Sequence, residues 1–158
     1  MLKLSATAEE DVTIVDSDRY LPLLIGSISN NLYRSASRSY QSRFGIGVTE
    51  WRVLTSLAAA PNSTANQLCE IGEIDKAAAS RSLKALERSG HVAIAHHRSD
   101  ARKRIVSLTP AGQSLYERIV EIAMKRQKSM TSGFTAQETE TLIAMLRRLR
   151  ANSAMLED

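Results

Sequence analysis

The length of 158 residues fits one domain with a real hydrophobic core, and 43% apolar against 24% charged residues is a globular balance rather than a disordered one. A single cysteine excludes an intramolecular disulfide framework and fits a reducing cytoplasm. No apolar run approaches the ~18 residues of a membrane span, no secretory signal pattern opens the chain, and a net charge of +4 permits a nucleic-acid partner without requiring one.

Residues 1–17 show no strong period and read as a partly ordered leader. Asp18 is placed to cap a first helix, in which Tyr20, Leu21, Leu24, Ile28, Leu32 and Ala36 form an apolar stripe and Pro22 sits in the first turn. The stripe gives way to Arg34, Arg38 and Arg43 before Gly45 and Gly47 stop the helix. Thr49 caps a second helix with Trp51, Leu54, Leu57 and Ala58 inward, ended by Pro61. Ser63 caps a short third helix containing Ala65, Leu68 and Cys69, Gly72 breaks it, and Glu73–Ile74 turn the chain into a fourth. The third and fourth helices form a helix–turn–helix pair.

The fourth helix starts at Asp75, a short carboxylate suited to the orphan N–H groups and the dipole of a first turn. At 3.6 residues per turn Ala79, Leu83 and Leu86 share one side. Ala77, Arg81, Lys84 and Arg88 lie opposite, with Lys76 and Ser80 on the flank. After Gly90, Val92 and Ile94 alternate with small residues, and Ile105, Val106 and Leu108 return as a second apolar run, which predicts paired strands. The polar connection from His97 to Lys103 is expected to project as a loop carrying Arg98, Asp100 and Arg102, with Arg104 nearby and Asp100 holding Arg102 in place.

Charge is concentrated here. Between Asp75 and Arg104 eight lysines and arginines face three carboxylates, a formal +5 in a chain of +4, so the remaining residues sum to −1. A charge run on a helix is commonly only a solvated face. Joined to a basic hairpin it becomes a winged helix–turn–helix, in which the helix enters a major groove and the loop an adjacent groove.

Thr109–Pro110 starts a fifth helix, with Leu115, Ile119, Ile122 and Ala123 as its stripe, running to about Thr131 before Gly133. Thr135 and Glu138 have capping-box spacing for a last helix bearing Leu142, Met145, Leu146 and Leu149. The first, fifth and last helices carry more apolar surface than the winged helix can cover, which predicts an isologous dimer. The fold class expected is mainly α with a small β-hairpin wing: a DNA-binding lobe over 49–109, and dimerisation helices over 18–44 and 110–156.

The ordered set D-R-Y-L-P at 18–22, E-W-R-V-L at 50–54, S-T-A-N-Q-L at 63–68, D-K-A-A-A-S-R at 75–81, L-E-R-S-G-H-V at 86–92 and D-A-R-K-R-I-V-S-L-T-P-A-G at 100–112 resembles the MarR-type family of winged-helix transcriptional regulators. The resemblance spans Asp18 to about Leu156. It implies a homodimer binding pseudo-palindromic double-stranded DNA, often released by a small aromatic or phenolic ligand, and commonly a repressor. It assigns DNA contact to Lys76, Ala77, Ser80, Arg81 and Lys84 of the helix and to Arg102 of the wing, oriented by Asp100. Two positions depart from the family pattern. Ala101 and Ile94 stand where arginine is common, which shifts expected wing contacts toward Arg98, Lys103 and Arg104.

Other classes are weighed on the same residues. Cys69 lacks a resolving partner and reads as a buried structural thiol, against a redox-responsive regulator of the same fold. His91, His96 and His97 are the only histidines, and neighbours on a strand point to opposite faces, so no metal site is expected. No phosphate loop, nucleophile elbow or metalloprotease helix signals an enzyme, and no cofactor is expected. A winged helix used for protein–protein contact would not require Arg81 and Arg102 in groove-facing places. Trp51 and Tyr33 read chiefly as core aromatics, and no effector pocket is assigned.

Overall fold

Among the described residues six helices and one hairpin follow in the order α1 (Leu21–Phe44), α2 (Val48–Ala59), α3 (Ala65–Gly72), α4 (Lys76–Arg88), β1 (Val92–His97), β2 (Asp100–Leu108), α5 (Pro110–Met130) and α6 (Ala136–Ser153). This computed structural model describes residues 16–97 and 100–156, the side chains at 97 and 100–102 excepted.

The caps explain most boundaries, and three differ from expectation. Tyr20 rather than Asp18 occupies the N-cap of α1, without a side-chain cap bond. Asp18 lies in the preceding turn, where its N–H donates to Asp16 Oδ1 at 3.0 Å. Helix α2 begins at Val48, which puts Thr49 inside its first turn. Thr64, not Ser63, caps α3: its N–H donates to Gln67 Oε1 at 2.8 Å while its Oγ1 accepts from the Gln67 N–H, a reciprocal capping box. Ser63 has another task. It is buried, its hydroxyl donates to the Ala60 carbonyl at 2.7 Å, and its own carbonyl accepts from Val106 N–H at 2.8 Å, adding an isolated bridge beside the hairpin.

The strands pair antiparallel, from Val92 opposite Leu108 to His96 opposite Arg104, with an irregularity after His96. Much of the polar stretch expected as a loop is therefore strand by backbone, with His97 paired to Asp100 across the irregularity. Main-chain pairing needs no apolar side chains, so composition does not separate a solvent-facing strand from a loop. Residues 98 and 99, and with them Arg98, lie outside the described residues.

Two compact units divide between Val48 and Thr49. In the first, Tyr40 is the buried residue of α1, while Leu21, Ile28 and Tyr33 are each more than half exposed, which overturns the core reading of Tyr33. In the second, Val53, Leu54 and Leu57 of α2, Leu68 of α3, Ala79, Leu83 and Leu86 of α4, Val92 and Val106 of the hairpin, and Leu115 and Ile119 of α5 are buried. Each fully buried leucine contributes about 1.5–3 kcal/mol of transfer free energy. Trp51 is half-buried and stacks on Tyr116, with centroids 5.6 Å apart and planes at 20°. Gly112, in the first turn of α5, lets that helix start against β1: a Cβ there would lie 1.9 Å from the His91 carbonyl oxygen. Helix α6, although 18 residues long and closed by the Thr135–Glu138 capping box, has no buried residue. No helix among the described residues is long and apolar enough to cross a membrane.

Candidate nucleic-acid interface

Helix α4 presents its cations because the opposite side is committed to the core. Ala79, Ser82, Leu83 and Leu86 are buried, which fixes the rotation of the helix and leaves Lys76, Ala77, Ser80, Arg81 and Lys84 exposed. Asp75 Oδ1 accepts from Ala78 N–H at 3.0 Å, so α4 begins one residue after the cap. Its first-turn cation, Lys76, is thereby held close to the α3–α4 turn.

A groove of about 220 Å³ lies between α3, α4 and the hairpin. Lys76, Ser80 and Lys84 line it from α4, Ile94 and Arg104 from the hairpin, and Cys69 from α3. The groove brings cations of the helix and of the wing to one surface, as phosphate binding by two adjoining elements requires. Lys103 and Arg104 are exposed on β2. Arg81 is exposed but does not line the groove. Asp100 and Arg102 belong to β2 by backbone, and their side chains, with the expected pairing between them, lie outside the described residues. Cys69 is half-buried rather than buried, because α3 packs through Leu68 and turns the next residue toward the groove.

Two residues missed from the sequence hold α4 from behind. The Arg52 guanidinium on α2 donates to the carbonyls of Gly72 and Glu73, the latter at 2.9 Å. Ser82 Oγ donates to Glu50 Oε1 at 2.9 Å. Neither contact has a local signal, since the partners are 20 or more positions apart in the chain.

Comparison with known proteins agrees with this geometry. A model described as the MarR family matches residues 44–103. The chain is 30% identical over 118 residues to the HTH-type transcriptional regulator YdgJ of Bacillus subtilis (strain 168), covering 75% of this chain and 72% of that protein. It is 28% identical over 122 residues to the homoprotocatechuate degradative operon repressor of Escherichia coli, covering 75% of this chain and 82% of the relative. A crystal structure of a MarR/EmrR family transcriptional regulator from Acinetobacter sp. ADP1 superposes with a TM-score of 0.82 at 32% identity, over 90% of this chain and 100% of the other.

Proposed function

Because this chain belongs to the MarR family of DNA-binding transcriptional regulators, we propose that it is a homodimeric repressor of a pseudo-palindromic operator, relieved by a small aromatic effector. The observation that carries the reading is the exposed α4 face of Lys76, Ala77, Ser80, Arg81 and Lys84 joined by one groove to Arg104 of the hairpin. Arg81 supplies a bidentate donor suited to guanine O6 and N7. Lys76, Lys84, Lys103, Arg104, the wing-tip Arg102 and, from the sequence reading, Arg98 neutralise phosphates, with Asp100 orienting Arg102.

Dimerisation rests on α1, α5 and α6, with residues 49–109 as the DNA-binding lobe. Leu21 and Ile28 of α1 and Met145 and Leu146 of α6 are between 49% and 60% exposed in the single chain. Most helical stability in proteins comes from packing an apolar face, and α6 buries no residue in the single chain, so a partner surface would stabilise it. A second copy supplies one and sets the two α4 helices about 34–36 Å apart, one turn of duplex. An effector that prefers any other separation lowers affinity in proportion to its differential binding. Repression is supported by the name of the Escherichia coli relative, the homoprotocatechuate degradative operon repressor, and the aromatic class of the effector is proposed by analogy with the compound named there.

Binding to a random-sequence duplex, titrated with salt, tests the reading. Six to ten neutralised phosphates give a log–log slope of roughly −5 to −9. A flat dependence would assign the lobe to protein contact instead.

A further inference from the structure

We propose that Arg52, supported by Glu50, is a positioning residue for sequence readout: from α2 it fixes the turn that aims α4, without touching DNA. The inference rests on α4 being the recognition helix. The turn between α3 and α4 is awkward to form. Glu73 sits at φ 47°, ψ 48°, a left-handed conformation uncommon for a residue with a Cβ, and persists only where its surroundings over-determine it. Its carbonyl and that of Gly72 both accept from Arg52, whose planar guanidinium can serve two acceptors with one rigid group.

The other side of the turn has no slack. A Cβ at Gly72 would lie 2.7 Å from Ile74 Cδ1 and 2.8 Å from Ser56 Oγ, and Ser56 is a buried residue of α2. Directly after the fork, Ile74 is buried, its N–H donates to the Cys69 carbonyl at 2.9 Å, and Asp75 then caps α4. Farther along α4, buried Ser82 donates to Glu50, so α2 grips the helix both at its entry and at mid-length. Those two points, set by residues 50 and 52, define a tilt.

Tilt matters unequally for the two kinds of DNA contact. Hydrogen bonds to base edges fail beyond a few tenths of an ångström, whereas attraction to phosphates is long-ranged and forgiving. Loss of the Arg52 fork therefore lowers discrimination between sequences while sparing attraction to any duplex.

The test compares affinity for a duplex selected from a random pool with affinity for random-sequence duplex of equal length, each across a salt series, in Arg52→Ala, Arg52→Lys and Arg81→Ala. For Arg52→Ala the expected result is about a tenfold loss on the selected duplex, with random-duplex affinity and salt slope unchanged. Arg52→Lys keeps the charge and the apolar stem but not the fork, and is expected to lose discrimination partially. It carries the test if the alanine variant fails to fold. Equal losses on both duplexes with a shallower slope would make Arg52 a phosphate contact and overturn the inference, as would full discrimination in Arg52→Lys. Arg81→Ala separates this inference from its premise: unaltered discrimination there removes α4 as the reader. Discrimination lost in Arg81→Ala but kept in both Arg52 variants removes the positioning role alone.

Discussion

The second unit's winged helix and the terminal helices α1 and α6 solve the same problem in opposite ways. In the lobe every element commits a stripe to a shared interior: Leu54, Leu68, Leu86 and Val106 are each at most 1% exposed. Helices α1 and α6 carry stripes just as regular, yet Leu21, Ile28, Met145 and Leu146 remain open in the single chain. Similar amphipathic patterns thus have different destinations. The lobe covers its apolar stripes within one chain, so its polar face is free for a ligand of another kind, whereas the terminal helices leave theirs open, as the proposed dimer requires.

That contrast breaks most visibly on α6. Leu146→Asp places a charge on an exposed apolar residue and is expected to leave the lobe folded while dissociating the dimer. Affinity for a two-half-site duplex then falls on the order of 100-fold or more, because the second half-site no longer gains from tethering. Sedimentation velocity and duplex titration check both halves, and an unchanged dimer would return α6 to a surface role. The matching change in the lobe, Leu68→Ala, is expected to cost about 2–5 kcal/mol of stability without altering self-association. Denaturant unfolding measures it.

Smaller effects sharpen the division inside the lobe. Arg81→Ala is expected to cost about 1–3 kcal/mol and to relax preference at one base pair of each half-site. Uniform losses across sequences would reassign Arg81 to the backbone. Arg102→Ala is expected to weaken all duplexes alike and to reduce the salt slope by about one, and an unaltered slope would remove the wing tip from the interface.

The mildest effect is pH-dependent and confined to α6. Hydrogen bonds from the Thr135 backbone N–H and then the Thr135 hydroxyl hold the Glu138 carboxyl below its usual range. A depressed folded-state value stabilises above the ordinary glutamate range, and that contribution is lost as pH falls through the folded value. Glu138→Gln should therefore melt slightly below the parent protein near neutrality and converge with it in acid. A difference that survives undiminished in acid would exclude the carboxylate charge as its source.

The fold was legible where local chemistry decides it. Asp75, Thr109 and Thr135 cap the helices that follow them, and Ala79, Leu83 and Leu86 point inward because the 3.6-residue period leaves them no other side. The errors arose where two residues compete for one local role or where tertiary contacts intervene. Ser63 and Thr64 are equally good caps in composition, and the bridge to Val106 takes Ser63 away. Tyr33 has the apolar body of a core residue but stands on an open face. The exposed cationic face of α4 was readable for the same reason its core was. Arg52 was not, since an arginine on α2 reads as a solvated residue until the Gly72–Glu73 turn is brought beside it.

The central claim is that two copies of the Asp75–Arg104 surface read one duplex at a separation fixed by the terminal helices. Selection of bound duplexes from a random pool tests it most directly. The claim predicts inverted half-sites with centres about 10 base pairs apart, on one face of the helix. A single ungapped half-site, or half-sites at no fixed spacing, would contradict it.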